Sequence, residues 1–163
     1  MRFKALKEAN FYDKTAWIIA TWFCSGFAKK APGTVGSLCS LPLAFIGYLY
    51  GTGALWMTAV ILFLLGWWAT RVVLVSQKKN DPGFVVIDET VGQTLTFVLV
   101  ASLGFSWYTL ICGFALFRFF DIVKIWPASY FDKSVHNAFG VMMDDVIAGI
   151  YAAIVLYGIM FFV

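Results

Sequence analysis

Five carboxylates lie beside long apolar segments, where charged side chains are costly. They occur as Asp88–Glu89, Asp121 and Asp144–Asp145. Carboxylates brought together near a bilayer repel one another and lose hydration, and a hard divalent cation with oxygen ligands, such as Mg²⁺, removes both penalties. The competing interpretation is a set of unrelated acids at helix N-termini, where the helix dipole favours negative charge. Asp121 does not fit that interpretation, because it follows an apolar segment.

Small residues accompany both acid pairs. Gly92 lies four residues after Asp88, and Gly149 lies four residues after Asp145. Residues four apart share a helix face, and small residues let membrane helices approach closely. Glycine is also common in membrane helices without such a role. The spacing is therefore supporting evidence that the acid pairs meet.

Cationic side chains near the acids are candidates for binding a phosphate group. Arg118 and Lys124 flank Asp121 at intervals of three residues. Arginine can bind phosphate through two parallel hydrogen bonds, whereas lysine acts as a point charge. Snorkelling to lipid headgroups is the competing interpretation of both residues. His136 is the only histidine, and it is a candidate proton donor or phosphate contact.

The segment "APGTVGS", residues 31–37, is a Pro-Gly turn that leads into a predicted helix. Free backbone N–H groups at a helix start can bind an anion, and Thr34 and Ser37 add hydroxyl groups. The segment is not a P-loop, because the Gly-Lys-Ser/Thr ending of that motif is missing. Alone it is a weak indication of phosphate binding.

Other phosphatase chemistries do not fit the sequence. Cys112 and Arg118 have the spacing of cysteine phosphatases, but on a helix Cys112 would lie about 9 Å deeper than Arg118. A reactive thiolate needs an electropositive, partly exposed site. One histidine cannot supply separate nucleophilic and acid histidines, and neither DxDxT nor DGxxAR occurs. We therefore expect Cys112 to be dispensable.

The composition indicates an integral membrane protein. Of the 163 residues, 61% are hydrophobic and 13% are charged, whereas a soluble domain is about 25% charged. Spanning a bilayer takes about 20 apolar residues. We therefore predict an all-α, multi-pass membrane bundle in a single domain, residues 1–163, with about five spans. The predicted spans are Val35–Tyr50, Ala54–Val75, two short helices within Thr90–Phe120 that are separated by Ser102–Trp107, and Val146–Val163.

The distribution of charge predicts the orientation of these spans. Ala16–Phe27 is short and follows basic residues, so we expect an interfacial or re-entrant helix there. With five spans, every Lys, Arg, Asp and Glu falls on one side of the membrane, within residues 1–30, 71–89, 118–133 and 144–145. The positive-inside rule assigns that side to the cytoplasm.

Several separated motifs resemble the phosphatidylglycerophosphatase A family. They are "APGTVGSL", "IDETVGQ", "FRFFDIVKIWP", "FDKSVH" and "GVMMDDVIAG", in this order between Ala31 and Gly149. The resemblance implies a bacterial, Mg²⁺-dependent enzyme of the inner membrane that hydrolyses phosphatidylglycerol phosphate to phosphatidylglycerol and phosphate on the cytoplasmic side. One departure is visible, since the family has Lys-Pro-x-Pro where this chain has Lys124-Ile125-Trp126-Pro127.

Together these features predict metal-assisted, in-line attack by water on a lipid phosphomonoester. The five acids are the candidate Mg²⁺ ligands and catalytic groups, and His136 is a candidate general acid. Thr34, Ser37, Arg118 and Lys124 are the candidate phosphate contacts. The partners are the lipid substrate and the bilayer, and no nucleic acid is expected. The alternatives are a small ion-binding or transport protein and a structural subunit; a covalent aspartyl-phosphate also stays open.

Overall fold

The computed structural model describes residues 10–78, 82–104 and 106–162. All regular secondary structure in these residues is helical, which confirms the all-α prediction for this part of the chain. The α-helices are α1 (Phe11–Ala20), α2 (Pro32–Ser40), α3 (Ala44–Tyr50), α4 (Thr52–Gln77), α5 (Ile87–Thr96), α6 (Trp107–Val123), α7 (Ala128–Ser134) and α8 (Ala138–Phe161). Short 3₁₀ turns occupy Ser25–Phe27 and Leu41–Leu43. The predicted charges at residues 1–9 and 79–81, and the predicted span end at residue 163, lie outside the described residues.

Three helical segments in the described residues are long and apolar enough to cross a membrane. They are Pro32–Tyr50, which contains α2 and α3, then Thr52–Gln77 and Ala138–Phe161. The two short helices expected after residue 90 are α5 and α6, with 10 and 17 residues. Each is shorter than the usual span of about 20 residues. The finding is thus a helical membrane protein with three candidate spans, and the count of about five stays a prediction.

The break between α5 and α6 begins earlier than expected, at Phe97 instead of Ser102. The backbone N–H groups of Phe97 and Val98 donate to the carbonyl groups of Thr94 and Leu95, three residues earlier. Such tightening is typical of a helix end. α5 is consequently a short, largely buried helix, with polar as well as apolar side chains inside the protein.

The last helix also begins earlier than the sequence suggests, at Ala138 instead of Val146. The Asn137 side chain accepts hydrogen bonds from the backbone N–H groups of Phe139 and Gly140, which is a strong N-cap. Asp144–Asp145 therefore lie in the second turn of α8, and the interpretation as helix N-terminal acids is wrong for this pair. It remains compatible with Asp88–Glu89, which lie in the first turn of α5.

α5 lies at the centre of the bundle and packs against α2, α4, α6 and α8. The crossing of α5 and α8 brings two backbones together. A Cβ on Gly149 would lie 2.4 Å from the carbonyl oxygen of Gly92, and a Cβ on Gly92 would lie 2.5 Å from that of Asp145. The predicted close approach at these glycines is confirmed, and it brings the two acid pairs to one end of the bundle.

Candidate active site

A cavity of about 130 Å³ lies beside the first turn of α5, the first two turns of α8 and the end of α6. It is much larger than the space of about 10–15 Å³ that one water needs. α7 and the residues after it form another wall, with Phe131 and Val135. The charged and titratable residues that line the cavity are Asp88, Glu89, Asp121, Lys124, Asp132, His136, Asp144 and Asp145. The structure thus brings together all five predicted acids, Lys124 and His136.

Three of the acids are arranged as a divalent cation would require. Oxygen atoms of Asp88, Glu89 and Asp145 all lie within 4.8 Å of one another. Glu89 Oε2 is buried and has no hydrogen-bond partner among the described residues. Carboxylate oxygens are among the oxygen ligands that Mg²⁺ takes, usually together with waters and substrate phosphate. These residues therefore fit a hard cation, with Asp121 and Asp144 beside them.

The surroundings of Asp88 and Glu89 disfavour the ionised forms of these acids. Burial, together with the nearby charge of Glu89, raises the pKa of Asp88 well above its ordinary value. Burial is also the largest cause that raises the pKa of Glu89 to about 8, and Asp145 and Asp121 add to the effect. The hydrogen bond with Asp88 and the charge of Arg118 lower it. Buried acids with such shifts are typical of functional sites.

Arg118 lies behind the acids and outside the residues that line the cavity. Its Nη1 is 2.5 Å from Asp121 Oδ2 and 3.4 Å from Ser37 Oγ. The glycine of the Pro-Gly turn makes room for this arrangement, because a Cβ on Gly33 would contact both Glu89 Oε1 and Arg118 Nη1. Arg118 and Ser37 therefore join α2 to the acids. In this structure neither lines the space that a phosphate would enter.

Lys124 lines the cavity and is held by two acids. Its Nζ is 2.6 Å from Asp132 Oδ1 and 2.5 Å from Asp144 Oδ2. Burial disfavours the charge of Lys124, but Asp144 and Asp132 outweigh it and raise its pKa above the ordinary value. Asp132 is a site residue that the sequence reasoning missed. Its signal was its place in "FDKSVH", the motif that also contains His136.

The remaining candidates have distinct positions. His136 is exposed at the rim of the cavity, where it can exchange protons with solvent. Thr34 is half-buried in α2 and is not among the lining residues. Cys112 is a free, half-buried cysteine of α6 that is also outside the cavity. The position of Cys112 agrees with the expectation that no thiolate takes part.

Comparison with known proteins identifies the family. The sequence model of phosphatidylglycerophosphatase A matches residues 18–160, nearly the whole chain. The chain belongs to this family. A phosphatidylglycerophosphatase A from Haemophilus influenzae is 39% identical over 145 residues, which is 88% of each chain. Another from Escherichia coli is 28% identical over 157 residues, 96% of this chain and 90% of the relative.

A third relative, from Bacteroides thetaiotaomicron, is provisionally named a phosphatidylinositol-3-phosphatase. It is 39% identical over 144 residues, 85% of this chain and 89% of the relative. No solved structure matches the chain. Family membership confirms the resemblance seen in the motifs, and relatives that are lipid phosphatases by name do not favour the ion-transport alternative.

Proposed function

We propose that this chain hydrolyses phosphatidylglycerol phosphate to phosphatidylglycerol and inorganic phosphate. The observation that carries the proposal is the match of phosphatidylglycerophosphatase A over residues 18–160. The acid-lined cavity supports it, because a phosphomonoester needs concentrated, positioned charge for hydrolysis. Its place beside apolar helices suits a lipid whose acyl chains stay in the bilayer.

The candidate cofactor is Mg²⁺, held by oxygen atoms of Asp88, Glu89 and Asp145, with Asp121 and Asp144 in support. The mutual proximity of the first three carboxylates supports this assignment. When bound, Mg²⁺ would supply Lewis-acid stabilisation of the negative charge on the phosphoryl group during in-line attack by water. The cation would also compensate the repulsion among buried carboxylates.

The remaining polar groups act as positioning and proton-transfer residues in this proposal. Lys124 points into the cavity, and its ammonium group is available to a phosphate oxygen once the bond to exposed Asp132 is exchanged. Arg118 holds Asp121 from behind through the 2.5 Å ion pair. His136 at the rim is the candidate acid for the leaving glycerol oxygen.

The cavity faces the cytoplasm in this proposal, at the inner membrane of a bacterium. The bacterial relatives and the apolar helices support a bacterial membrane protein. The side of the membrane follows from the positive-inside rule, since the described cations lie toward the cavity end of the spans. A lipid phosphatase at that surface reaches substrate in the cytoplasmic leaflet without moving its headgroup across the bilayer.

Phosphate release by the purified protein tests the proposal. Detergent micelles would contain phosphatidylglycerol phosphate, phosphatidylinositol 3-phosphate or phosphatidic acid, each with Mg²⁺ and with a chelator. We expect Mg²⁺-dependent turnover with the highest kcat/KM for phosphatidylglycerol phosphate. A higher kcat/KM for phosphatidylinositol 3-phosphate would contradict the proposed substrate and favour the activity named for the Bacteroides relative. Equal turnover in the chelator would refute the role of Mg²⁺.

A further inference from the structure

A second hollow, of about 420 Å³, lies between the last turns of α4 and the start of α8. It is open to the surface and is lined by Arg71, Leu74 and Val75 from α4, by Lys78 at the C-cap of that helix, and by His136 and Asn137 before α8. Nothing in the acid cavity uses the α4 residues. The hollow therefore offers two cations to a ligand outside the site described above.

Three of these residues, Arg71, Leu74 and Val75, lie on one side of α4 at a spacing of three and four residues. Lys78, the C-cap with a φ of 51°, continues the lining just beyond the helix. Arg71 and Lys78 are exposed at the two ends of this face, and Val75 between them is 74% exposed. Such a face suits a phospholipid, because cations bind the phosphate and the apolar residues contact the lipid.

Both cations are available. Within residues 10–78, 82–104 and 106–162, neither Arg71 nor Lys78 has an ion pair or a hydrogen bond from its side chain. Among the described residues, Arg71 and Lys78 therefore offer unpaired positive charge at the hollow, whereas Arg118 and Lys124 beside the acids are already paired with carboxylates.

The hollow adjoins the acid cavity through a shared wall. His136 lines both spaces. A ligand that occupies both spaces would need two anionic groups joined by a short linker. Phosphatidylglycerol phosphate has this form, because a glycerol unit joins its terminal phosphomonoester to a phosphodiester that carries the diacylglycerol.

We propose that Arg71 and Lys78 bind the phosphodiester of the lipid substrate while its phosphomonoester occupies the acid cavity. The inference rests on the proposed function and adds a specificity site to it. The second hollow distinguishes a lipid with two phosphates from phosphatidic acid, which has only the phosphomonoester. Leu74 and Val75 contact the lipid next to the phosphodiester, so the acyl chains leave along the exposed face of α4.

The test compares two variants that each remove two positive charges. Arg71→Gln/Lys78→Gln alters the hollow, and Lys29→Gln/Lys30→Gln, which changes exposed lysines before α2, is the matched control. In neutral detergent micelles with Mg²⁺, the first variant should raise KM for phosphatidylglycerol phosphate about tenfold or more, since each surface cation contributes to anionic lipid binding. Its kcat, and both constants of the control, should stay within about twofold of the unaltered protein.

A binding measurement separates this inference from the proposed activity. Phosphatidylglycerol has the phosphodiester but no phosphomonoester, and its binding in neutral micelles can be followed by native mass spectrometry. The first variant should bind it about tenfold more weakly, whereas the control should bind it normally. Unchanged KM and unchanged phosphatidylglycerol affinity in the first variant would refute the hollow as a subsite. An equal effect in the control would show general surface attraction and would also overturn it. Absence of turnover in the unaltered protein would refute the proposed function itself.

Discussion

Asp121 is paired with a cation and shares a cavity with another acid. Arg118 Nη1 is 2.5 Å from its Oδ2, and Asp121 and Asp145 both line the acid cavity. Asp145 is in turn one of the three acids whose oxygens lie within 4.8 Å of one another. The Asp121–Asp145 pair therefore joins the candidate metal ligands to the residues that support them from α6.

Replacing either acid of this pair with asparagine should remove most of the activity. Asp121→Asn and Asp145→Asn keep the shape of the side chain but lose the charge that attracts Mg²⁺. We expect each to lower the rate of phosphate release at least about a hundredfold, a barrier increase of about 2.7 kcal/mol. Folding of Asp145→Asn should survive, since the change relieves repulsion among clustered acids. Asp121→Asn also removes the counter-charge of Arg118, so thermal unfolding in detergent is measured beside its activity. The measurement is phosphate release by detergent-purified variants across a Mg²⁺ titration.

Asp13→Asn, which changes an acid of α1 outside the cavity, is the control and should retain normal activity. Near-normal rates and an unchanged Mg²⁺ dependence in both site variants would show that neither acid serves the reaction. The acids would then be structural groups at one end of the bundle.

Residue spacing predicted some of these neighbours and could not predict others. Arg118 and Asp121 are one helical turn apart, so their pairing follows from sequence. Asp132 is eight residues from Lys124 and belongs to another helix. Their meeting depends on the reversal of the chain after α6, where Lys124 adopts a left-handed conformation with φ of 49°. Helical spacing in the sequence cannot predict such a chain reversal, so it does not predict that Asp132 contacts Lys124.

At the scale of elements, the crossing of α5 and α8 sets the distance between the acid pairs. Because Gly92 and Gly149 have no side chains, the backbones of the two helices touch directly at the crossing. Asp88 and Asp145 lie one turn before the glycines on their respective helices. The separation of the carboxylates consequently depends on the absence of a single Cβ at each glycine.

Gly149→Ala should therefore destabilise the protein and lower its activity. Its Cβ would lie 2.4 Å from the carbonyl oxygen of Gly92, a backbone atom that cannot rotate away. We expect a loss of about 1–3 kcal/mol in the free energy of unfolding, as for other overpacked positions. Thermal unfolding in detergent, together with phosphate release, would measure both effects.

Gly158→Ala in the same helix is the matched control, because nothing lies within 4 Å of the added Cβ. Alanine favours a helix over glycine by about 1 kcal/mol, so this variant should be at least as stable as the unaltered protein. Equal stability of the two variants would contradict the tight crossing.

The sequence predicted the close contact at Gly149 correctly, but it did not predict where α8 begins. Gly149 stood out because it follows an acid pair at helical spacing. The apolar pattern predicts a start of α8 at Val146, eight residues too late, because the acid pair interrupts the apolar residues there. Asn137 was the better signal, since its side chain caps the helix. The sequence does not predict that a helix continues through a buried acid pair, because the residues that surround the pair come from other helices.

At the scale of the whole molecule, the two ends of α4 lie at opposite ends of a candidate membrane span. The helix has 26 residues, a length of about 39 Å, enough to cross a hydrocarbon core of about 30 Å. Arg71 and Lys78 near its end share a hollow with His136 of the active-site wall. The acid cavity therefore lies at the Gln77 end of α4, and Thr52 lies at the opposite end.

Cysteine labelling would test the predicted orientation. In a background with Cys24, Cys39 and Cys112 replaced by serine, a cysteine at Thr52 should react only from outside the cell. A cysteine at Lys133, in α7 beside the cavity, should react only from the cytoplasm. Labelling of both positions from the same side would refute the topology. The cysteine-free background should keep more than about a tenth of the activity, a barrier change below about 1.4 kcal/mol, because Cys112 lies outside the cavity.

The contact between Gly92 and Gly149 lies near the cavity end of the bundle, so a tilt of α8 about this contact would have a short arm on the side of the acids. Asp88 and Asp145 are each four residues from it, about 6 Å along the helix axis. If the bilayer thins and α8 tilts by about 10°, Asp145 moves only about 1 Å, whereas Phe161 moves about 3 Å. The carboxylates therefore lie close to the point about which such a tilt would turn, and the far end of α8 would take the larger displacement.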